Sequence, residues 1–530
     1  MLAKAYSATP RGVGALFVTV EVDHIRAQMP TVTVVGLPDA AVREARQRIF
    51  SAIRHLGRRS EPASVVINLS PADEKKEGAV LDLPMAVAYL AATGDVPAKS
   101  LDDRILIGEL SLEGRLQPVR GVLPIVLAAR ERGVAEVVLP AANGREAQVV
   151  AGIEVVGAAS LGEVVRYLRD GSVPEGAPAP ERDSGCVPQP PVADLMDIIG
   201  QEQARRALEV AAAGGHHLLL MGPPGSGKSM LARRLPGILP ALTSEEALEV
   251  TCVYSVSTRV PRPAGLLSRR PFRAPHHTTS SAALIGGGAI PQPGEASLAH
   301  HGVLFLDELT EFRRDVLEGL RQPLEDRTVT VARAQATLSF PASFQLVAAA
   351  NPCPCGYLGD ERRECGCTPQ AVHRYRSRLS GPLLDRIDLQ ITVPAVPWRE
   401  LSADRRGEAS GAVADRVAKA RRRQMERFAA EGLRCNGEMG PRAIRRWAQP
   451  QADGKRLLEH ASRGLGLSAR AYHRILRVAR TIADLAGEKE IGVAHIAEAI
   501  AYRSLDRRAD PRPRAVGEWA APVDSKGTGG

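Results

Sequence analysis

A glycine-rich segment carries the strongest chemical signal in the chain. It reads, in order, Gly222, Pro223, Pro224, Gly225, Ser226, Gly227, Lys228 and Ser229. An apolar run, HLLLM, precedes it, and a helical stretch, MLARRL, follows it. In such a strand-loop-helix setting the backbone N–H groups cradle phosphates, the lysine reaches the β- and γ-phosphates, and the hydroxyl holds Mg²⁺. The segment therefore predicts a site for ATP and Mg²⁺, because a glycine-rich turn without a nucleotide does not explain the full pattern.

Two adjacent carboxylates end an apolar run further along the chain. The run is Val303–Leu306, and Asp307 and Glu308 follow it directly. An open α/β sheet presents its ligand site at the carboxyl ends of its strands. We expect Asp307 to assist in holding Mg²⁺ and Glu308 to polarise the attacking water. Either acid alone fits a solvated strand end, but a pair that follows a phosphate-binding loop favours catalysis.

Asn351 ends a third apolar run, FQLVAAA. Its amide is suited to positioning the attacking water or sensing the γ-phosphate. Alternatively, the Asn351-Pro352 pair simply starts a turn, and the local sequence alone does not separate the two interpretations. The position after a phosphate-binding loop and an acidic strand favours the functional one.

The cysteines and histidines raise the question of a second metal. Four of the seven cysteines form two C-x-C pairs: Cys353, Cys355, Cys365 and Cys367. A reducing cytoplasm disfavours disulfides, and four thiolates this close suit tetrahedral zinc, although C-x-C is tighter than the usual C-x₂-C. We expect structural zinc that braces the segment after Asn351, with free thiols as the alternative. Structural hydrogen bonding is the expected role of four histidines: His276, His277, His300 and His301.

The elements that must position these residues divide the chain into five parts. Residues 1–170 alternate β-rich runs with helical stretches, which predicts an α+β domain. Residues 171–194 are rich in Pro and Gly and predict a linker. Residues 195–396 predict a parallel sheet with helices on both faces, and residues 397–508 predict an all-helical lid. Residues 509–530 are expected to be a disordered tail.

Composition limits the class of protein and its location. The 530 residues are 44% hydrophobic and 24% charged, an ordinary globular balance. No apolar run is long enough to span a bilayer, and the N-terminus lacks the apolar core of a signal peptide. We therefore expect a cytoplasmic protein with no membrane partner. The formal net charge of +9 favours contact with polyanions such as nucleic acids.

Several longer segments together resemble a known family. They are DIIGQEQARRALEVAAAGGHHLLLMGPPGSGKS, PFRAPHHTTS, PGEASLAHHGVLFLDE, NPCPCG, SGPLLDRIDL and SARAYHRILRVARTIADL. The chain is identified by them as a member of the Mg-chelatase-like AAA+ ATPases of the YifB/ComM type. This resemblance implies an AAA+ P-loop NTPase core with a helical lid, working as a homohexameric ring. It also implies DNA as the partner, single-stranded or branched, with helicase or branch-migration activity in recombination or transformation.

The resemblance also assigns two arginines. In LLDRIDL, Arg386 matches the arginine finger, which completes the site of a neighbouring subunit and so requires an oligomer. In SARAYHRIL, Arg470 matches the sensor-2 position, which contacts the γ-phosphate bound to the same chain. A surface salt bridge is the alternative for each.

Two insertions typical of the family are expected near the pore of the ring. The first spans Pro261–Ala299, before the acidic strand, and the second is a β-hairpin, TVTVARAQATLSF, with Arg333 near its tip. Our hypothesis is that both contact the translocated polymer. A plain surface hairpin is the alternative for the second.

The N-terminal domain resembles the Lon-protease-like variant of the ribosomal S5 domain 2 fold. Domains of this kind can be peptidases in which a lysine activates a serine nucleophile. Here Val80 and Leu123 stand at those two positions, so we expect a binding or ring-stabilising module and no peptidase. A chelatase-like or protein-remodelling ATPase acting on a protein partner is the alternative function for the whole chain.

Overall fold

The computed structural model describes residues 1–58, 62–76, 78–174, 193–288, 291–333, 336–397, 407–465 and 467–503. Of the predicted linker, 171–194, only 171–174 and 193–194 are described, and they contain no helix or strand. The predicted tail, 509–530, lies outside the described residues. Within these ranges, none of the helices combines the length and the apolar character that a membrane crossing needs.

The part of the chain before residue 175 alternates strands and helices. Its strands are β1 (Leu2–Arg11), β2 (Gly14–Arg26), β3 (Thr31–Val35), β4 (Ala63–Ser70), β5 (Arg104–Leu106), β6 (Glu109–Leu110), β7 (Leu116–Gln117), β8 (Glu136–Pro140) and β9 (Glu154–Ala158). Its helices are α1 (Ala40–His55), α2 (Asp82–Ala92), α3 (Val122–Glu131), α4 (Gly144–Gln148) and α5 (Leu161–Asp170). One sheet has the order β1-β2-β4-β3, and a second, parallel sheet has the order β5-β8-β9. This is the α+β arrangement expected from the sequence.

A parallel sheet forms the centre of the next part. Its strands, with two hairpins, are β10 (Leu218–Met221), β11 (Phe272–Arg273), β12 (Gly286–Gly287), β13 (Gln292–Pro293), β14 (Val303–Leu306), β15 (Thr328–Arg333), β16 (Ala336–Pro341), β17 (Gln345–Ala350) and β18 (Leu389–Thr392). Its helices are α6 (Glu202–Gly214), α7 (Lys228–Arg234), α8 (Ser244–Val256), α9 (Ser281–Leu284), α10 (Glu295–Leu298), α11 (Arg314–Gly319), α12 (Arg321–Asp326), α13 (Pro369–Arg376) and α14 (Gly381–Leu384). The sheet order is β11-β14-β17-β10-β18, and every pair of neighbours is parallel.

The apolar runs of the sequence explain which strands occupy the middle of this sheet. All residues of β10, β14 and β17 are buried, as expected for strands covered on both faces. Because the strands are parallel, the segments that follow β10, β14 and β17 meet at one edge, which we call the carboxyl edge. The fold therefore brings the glycine-rich segment, the acidic pair and Asn351 to the same place.

The two expected insertions contain regular structure. The first holds β11, α9, β12, β13 and α10, and β12 pairs antiparallel with β13. The second is the antiparallel hairpin of β15 and β16, whose last pair is Arg333 and Ala336. Residues 334–335 and the side chain of Arg333 lie outside the described residues, so the contact predicted for Arg333 remains a prediction.

The described residues after 407 form helices and contain no strand. These helices are α15 (Ser410–Arg427), α16 (Pro441–Trp447), α17 (Ala452–Leu465), α18 (Ala469–Ala486) and α19 (Val493–Ala501). Helix α18 begins after Ser468, whose hydroxyl accepts from the Ala471 N–H, and ends at Gly487 with φ +83°. Its Leu476 belongs to the same buried cluster as Leu218 of the sheet. The helical lid therefore shares a hydrophobic core with the sheet.

The N-terminal part packs on helix α8. Cys252 of that helix is buried in the hydrophobic cluster of the N-terminal part. Several hydrogen bonds cross the boundary, among them Gly121 N–H to Ser255 O at 3.1 Å and Arg262 Nη1 to Val119 O at 3.2 Å. Val80 and Leu123, which the resemblance places at the positions of the peptidase dyad, are buried apolar side chains.

Candidate active site

The glycine-rich segment connects β10 to α7 at the carboxyl edge. Gly225 and Gly227 have φ values of +76° and +88°, which strain residues with a Cβ. Gly222 is limited by space, because a Cβ there would meet Val393 O at 2.1 Å. The Oγ of Ser226 is buried and has no hydrogen-bond partner among the described residues. A bound phosphate oxygen would supply the partner that this hydroxyl lacks.

Lys228 is the first residue of α7. Its Nζ donates to Gly222 O and Pro223 O, both at 2.8 Å, and to Asn351 Oδ1 at 3.3 Å. Burial lowers the pKa of this ammonium, whereas the carboxylates of Asp307 and Glu308 act in the opposite direction. The loop thus holds a cation at the position where the β- and γ-phosphates of a nucleotide bind in such loops.

Ser229 and Asp307 are in direct contact. The Ser229 hydroxyl donates to Asp307 Oδ2 at 2.6 Å. Two neighbouring oxygen ligands of an octahedral Mg²⁺ lie about 3.0 Å apart, since each Mg–O distance is about 2.1 Å. The two side chains therefore fit a magnesium site, and their contact joins the start of α7 to the end of β14.

Glu308 follows Asp307 in the left-handed region of the backbone, with φ +51°. Its side chain is 55% exposed, and its Oε2 lies 3.1 Å from Nδ1 of His277. The His277 ring packs edge-on against Phe312, with 6.5 Å between the ring centroids. The adjacent His276 bonds to the Thr278 hydroxyl instead, at 2.9 Å. His277, which the sequence suggested only as a structural residue, thus contacts the carboxylate expected to polarise water.

The four cysteines after Asn351 form one cluster. The Sγ atoms of Cys353, Cys355 and Cys365 lie 3.4 to 3.6 Å apart. All four sulfur atoms, including that of Cys367, lie within 4.8 Å of one another. Tetrahedral zinc with Zn–S distances of about 2.3 Å separates its sulfurs by about 3.8 Å. The cluster fits a zinc site.

A second group of possible ligands consists of Glu249, His300 and His301. The backbone N–H of Ser343 donates to Nδ1 of His300 at 3.0 Å, so Nε2 carries the proton and donates to Glu249 at 3.1 Å. A metal-binding imidazole offers one unprotonated nitrogen to the metal and donates from the other. His300 has the reverse arrangement, which is that of a structural hydrogen bond.

Arg386 and Arg470 line a cavity of about 460 Å³ at the opposite, amino edge of the sheet. The cavity is also lined by His217, just before β10, and by Gln345, the first residue of β17. Arg386 forms an ion pair with Glu325, and its Nη1 donates to Pro382 O at 2.5 Å. Its Nε is buried and has no hydrogen-bond partner among the described residues.

The position of Arg470 differs from the expectation. The resemblance implied a contact with the γ-phosphate bound to the same chain, but no residue of 222–229 lines the described cavity that contains Arg470. Strands of four residues, such as β10, separate the two edges of the sheet by about 13 Å. The lid helix α18 extends along the amino edge, so the fold groups Arg470 with Arg386 and away from Lys228.

Comparisons with known proteins match three family descriptions to successive parts of the chain. The family description "Magnesium chelatase, subunit ChlI" matches residues 194–401, and "Subunit ChlI of Mg-chelatase" matches residues 20–143. A third, "Magnesium chelatase, subunit ChlI C-terminal", matches residues 407–503. The three matches together cover the N-terminal part, the sheet and the helical lid.

Similar proteins extend over nearly the whole chain. The competence protein ComM of Haemophilus influenzae is 45% identical over 511 residues, which cover 96% of this chain and 98% of that protein. YifB of Escherichia coli is 44% identical over 500 residues, which cover 94% and 96%. A shorter similarity, 30% over 141 residues and 26% of each chain, is to Lon protease 2 of Bacillus subtilis and agrees with the Lon-like N-terminal fold. The chain therefore belongs to the YifB/ComM family of Mg-chelatase-like AAA+ ATPases.

Proposed function

We propose that the chain hydrolyses ATP at a site shared between subunits of a homohexameric ring and uses that energy to remodel DNA. One observation carries the proposal: the phosphate-binding loop and the two arginines lie at opposite edges of one sheet. Copies arranged head to tail bring the amino edge of one chain to the carboxyl edge of the next. A heterologous interface of this kind generates a ring when the rotation that relates neighbouring chains closes, as it does in the proposed hexamer.

Each residue at the carboxyl edge has a separate role in the proposed hydrolysis. Lys228 binds the β- and γ-phosphates, and Ser229 and Asp307 would hold Mg²⁺, which neutralises phosphate charge when bound. Glu308 polarises the attacking water. Asn351, which accepts from Lys228 at 3.3 Å, positions that water or senses the γ-phosphate. The 2.6 Å contact between Ser229 and Asp307 keeps the start of α7 fixed against the acidic strand.

Arg386 and Arg470 complete the site of the neighbouring chain. The unpaired Nε of Arg386 and its ion pair with Glu325 fit a guanidinium that changes partner when a phosphate arrives. Because both arginines line one cavity, we propose that both act on the neighbour, in contrast to the same-chain role that the resemblance implied for Arg470. Loss of the γ-phosphate then changes contacts at the subunit interface and drives a rotation of one subunit against the next.

His277 is proposed as a positioning residue for Glu308. The residue belongs to the first insertion, four residues after β11, so it connects the expected polymer-contacting loop to the hydrolytic carboxylate. His277→Ala is expected to reduce kcat about tenfold with little change in KM for ATP, because Glu308 loses the partner that orients it. The same substitution is expected to reduce the stimulation by DNA, which is the ATP turnover rate with DNA divided by the rate without DNA.

His276→Ala is the control for the loss of a neighbouring imidazole, since the His276 ring lies 4.1 Å from that of His277 but bonds to Thr278 and not to Glu308. Steady-state kinetics of both variants, with and without DNA, separate the two residues. Equal kcat values and equal stimulation by DNA in His276→Ala and His277→Ala would contradict the positioning role of His277.

DNA is the proposed partner for two reasons. The chain has a net charge of +9, and a relative that matches 96% of it is named a competence protein. The proposed reaction is branch migration or helicase unwinding in recombination or transformation. Both insertions are proposed to lie near the polymer. Lys and Arg side chains that neutralise DNA phosphates release counterions, so binding of this kind weakens steeply with salt.

The ATP turnover rate measured against a panel of DNA forms tests this part of the proposal. Single-stranded or branched DNA is expected to raise the rate, and the increase is expected to disappear between about 50 and 200 mM salt. Heparin, a polyanion without bases or duplex structure, is the control. It is expected to compete with DNA for binding without raising the ATP turnover rate. An unchanged rate with every DNA form would contradict the DNA-remodelling function.

A chelatase-like or protein-remodelling ATPase is the second candidate. The specific observation in its favour is that all three matching family descriptions name a magnesium chelatase subunit. This candidate predicts that a protein partner, and not DNA, stimulates ATP turnover. The same assay with partner proteins in place of DNA distinguishes the two functions.

A further inference from the structure

A second cavity, of about 480 Å³, opens beside the phosphate-binding segment at the carboxyl edge. One side is formed by residues of that segment and of α7, among them Gly225 and Met230. The other side is formed by residues that lie between the two cysteine pairs, including Tyr357 and Arg363. Pockets that hold small ligands have volumes of about 300 to 1,000 Å³ and combine apolar walls with a few polar groups. The cavity has the size and the position for the nucleoside half of a nucleotide whose phosphates bind at Lys228.

The segment Cys353–Cys367, which we call the cysteine loop, packs closely on the phosphate-binding segment. Gly356 has φ +86°, and a Cβ at this position would meet Pro224 Cδ at 2.7 Å. Close approach of the two backbones therefore depends on glycine at 356. The cysteine loop is thus a direct neighbour of the residues that hold the phosphates.

The side chains between the cysteine pairs contact one another and the segment after β18. The guanidinium of Arg363 lies 4.3 Å from the centroid of the Tyr357 ring, within the range of a cation–π contact. Arg362 donates from Nη2 to Val396 O at 2.6 Å, which ties the loop to the segment after β18. An aromatic ring and a guanidinium plane in one wall offer the flat surfaces on which a nucleobase stacks.

The cysteine cluster holds together the two ends of the segment that forms this wall. Cys353 is fully buried, two residues after Asn351, whose Oδ1 accepts from Lys228. The cysteine pairs enclose Tyr357, Asp360, Arg362 and Arg363, all of which line the cavity. A metal that joins the two pairs reduces the entropy that this segment loses when it is ordered.

We propose that zinc bound by Cys353, Cys355, Cys365 and Cys367 fixes the cysteine loop as a wall of the ATP pocket, in which Tyr357 and Arg363 contact the base. This inference rests on the proposed ATPase function and adds to it the recognition of the nucleoside. Zinc then governs affinity for the nucleotide, although it lies outside the hydrolytic centre. The phosphates bind through Lys228 whether or not the wall is in position.

Two neighbouring residues of the loop test the wall with the cluster intact. Tyr357 lines the cavity, whereas Leu358 is 38% exposed and does not line it. Calorimetric titration of the full chain is expected to give a Kd for ATP about tenfold higher in Tyr357→Ala and unchanged in Leu358→Ala. Tripolyphosphate, which has no base, is expected to bind both variants like the native chain. Equal ATP affinity in the two variants would overturn the assignment of the wall.

Metal analysis of the native chain tests the zinc. We expect one zinc per chain, and we expect Cys365→Ser to lose zinc and to weaken ATP binding more than tripolyphosphate binding. A native chain without zinc that binds ATP normally would overturn the metal assignment. The two proposals fail differently: a folded native chain that binds neither ATP nor tripolyphosphate contradicts the ATPase function itself. A chain that binds both, with Tyr357→Ala equal to Leu358→Ala, contradicts only the wall.

Discussion

Lys228→Ala is expected to reduce ATP turnover by about a thousandfold. The native ammonium is held by Gly222 O, Pro223 O and Asn351 Oδ1, in a loop that has no other lysine or arginine. Alanine at this position removes the charge that opposes the β- and γ-phosphates and leaves Asn351 without its bond to the loop. Steady-state ATPase assays and the shift of Tm on adding ATP measure the two consequences.

Lys455→Ala, at an exposed lysine of the lid, is the control for the loss of a positive charge. It is expected to keep the native rate and the native thermal shift with ATP. A Lys228→Ala protein that melts like the native chain and still turns over ATP at a comparable rate would contradict the assignment of the phosphate site.

Arg386→Ala is expected to reduce kcat by about a thousandfold and to leave ATP binding nearly unchanged. The guanidinium lies at the amino edge of the sheet, where it pairs with Glu325, so it contributes nothing to nucleotide binding in its own chain. Its loss removes a stabilising charge from the transition state of the neighbouring site. Binding by calorimetry and turnover by steady-state kinetics separate the two effects.

Arg313→Ala provides the control for Arg386→Ala. Arg313 is 76% exposed and pairs with Asp315 on the surface, so its removal is expected to change neither binding nor turnover. If Arg386→Ala lost ATP binding together with turnover, the residue would have a structural role in its own chain.

The parallel sheet and the residues at its carboxyl edge follow from local sequence patterns. Short, fully apolar runs predict buried parallel strands, and β10, β14 and β17 are buried at every position. The residues directly after those runs must meet at one edge. The contacts of Lys228 with Asn351 and of Ser229 with Asp307 are consequences of that rule.

The contact between His277 and Glu308 depends on strand order, which local patterns do not determine. Strand β11 has two residues, and its pairing with β14 brings the segment that follows it to the carboxyl edge. The sequence shows an apolar strand before the acidic pair, but it does not show which strand is the neighbour. The sequence feature that could have indicated a role for His277 is the pair of histidines soon after PFR, in a segment already expected to form an insertion.

The positions of Arg470 and of the cysteine loop depend on long-range packing. Helix α18 has an apolar stripe that predicts burial, but the sequence does not specify which edge of the sheet the helix follows. The expected same-chain contact of Arg470 was therefore inherited from the resemblance, and the fold groups this residue with Arg386. The spacing of the cysteines predicted a metal, whereas their closeness to the nucleotide cavity follows from the path of the chain after β17.

The most direct test of the shared site is to mix two inactive variants. Arg386→Ala retains Glu308, and Glu308→Gln retains Arg386, so a site is complete where the Arg386→Ala chain supplies the carboxylate and the Glu308→Gln chain supplies the arginine. In equal, randomly assembled mixtures about a quarter of the interfaces are complete, and ATP turnover is expected to return to a comparable fraction of the native rate. A mixture in which both variants bind ATP and assemble together but no turnover returns at any ratio would contradict the shared site.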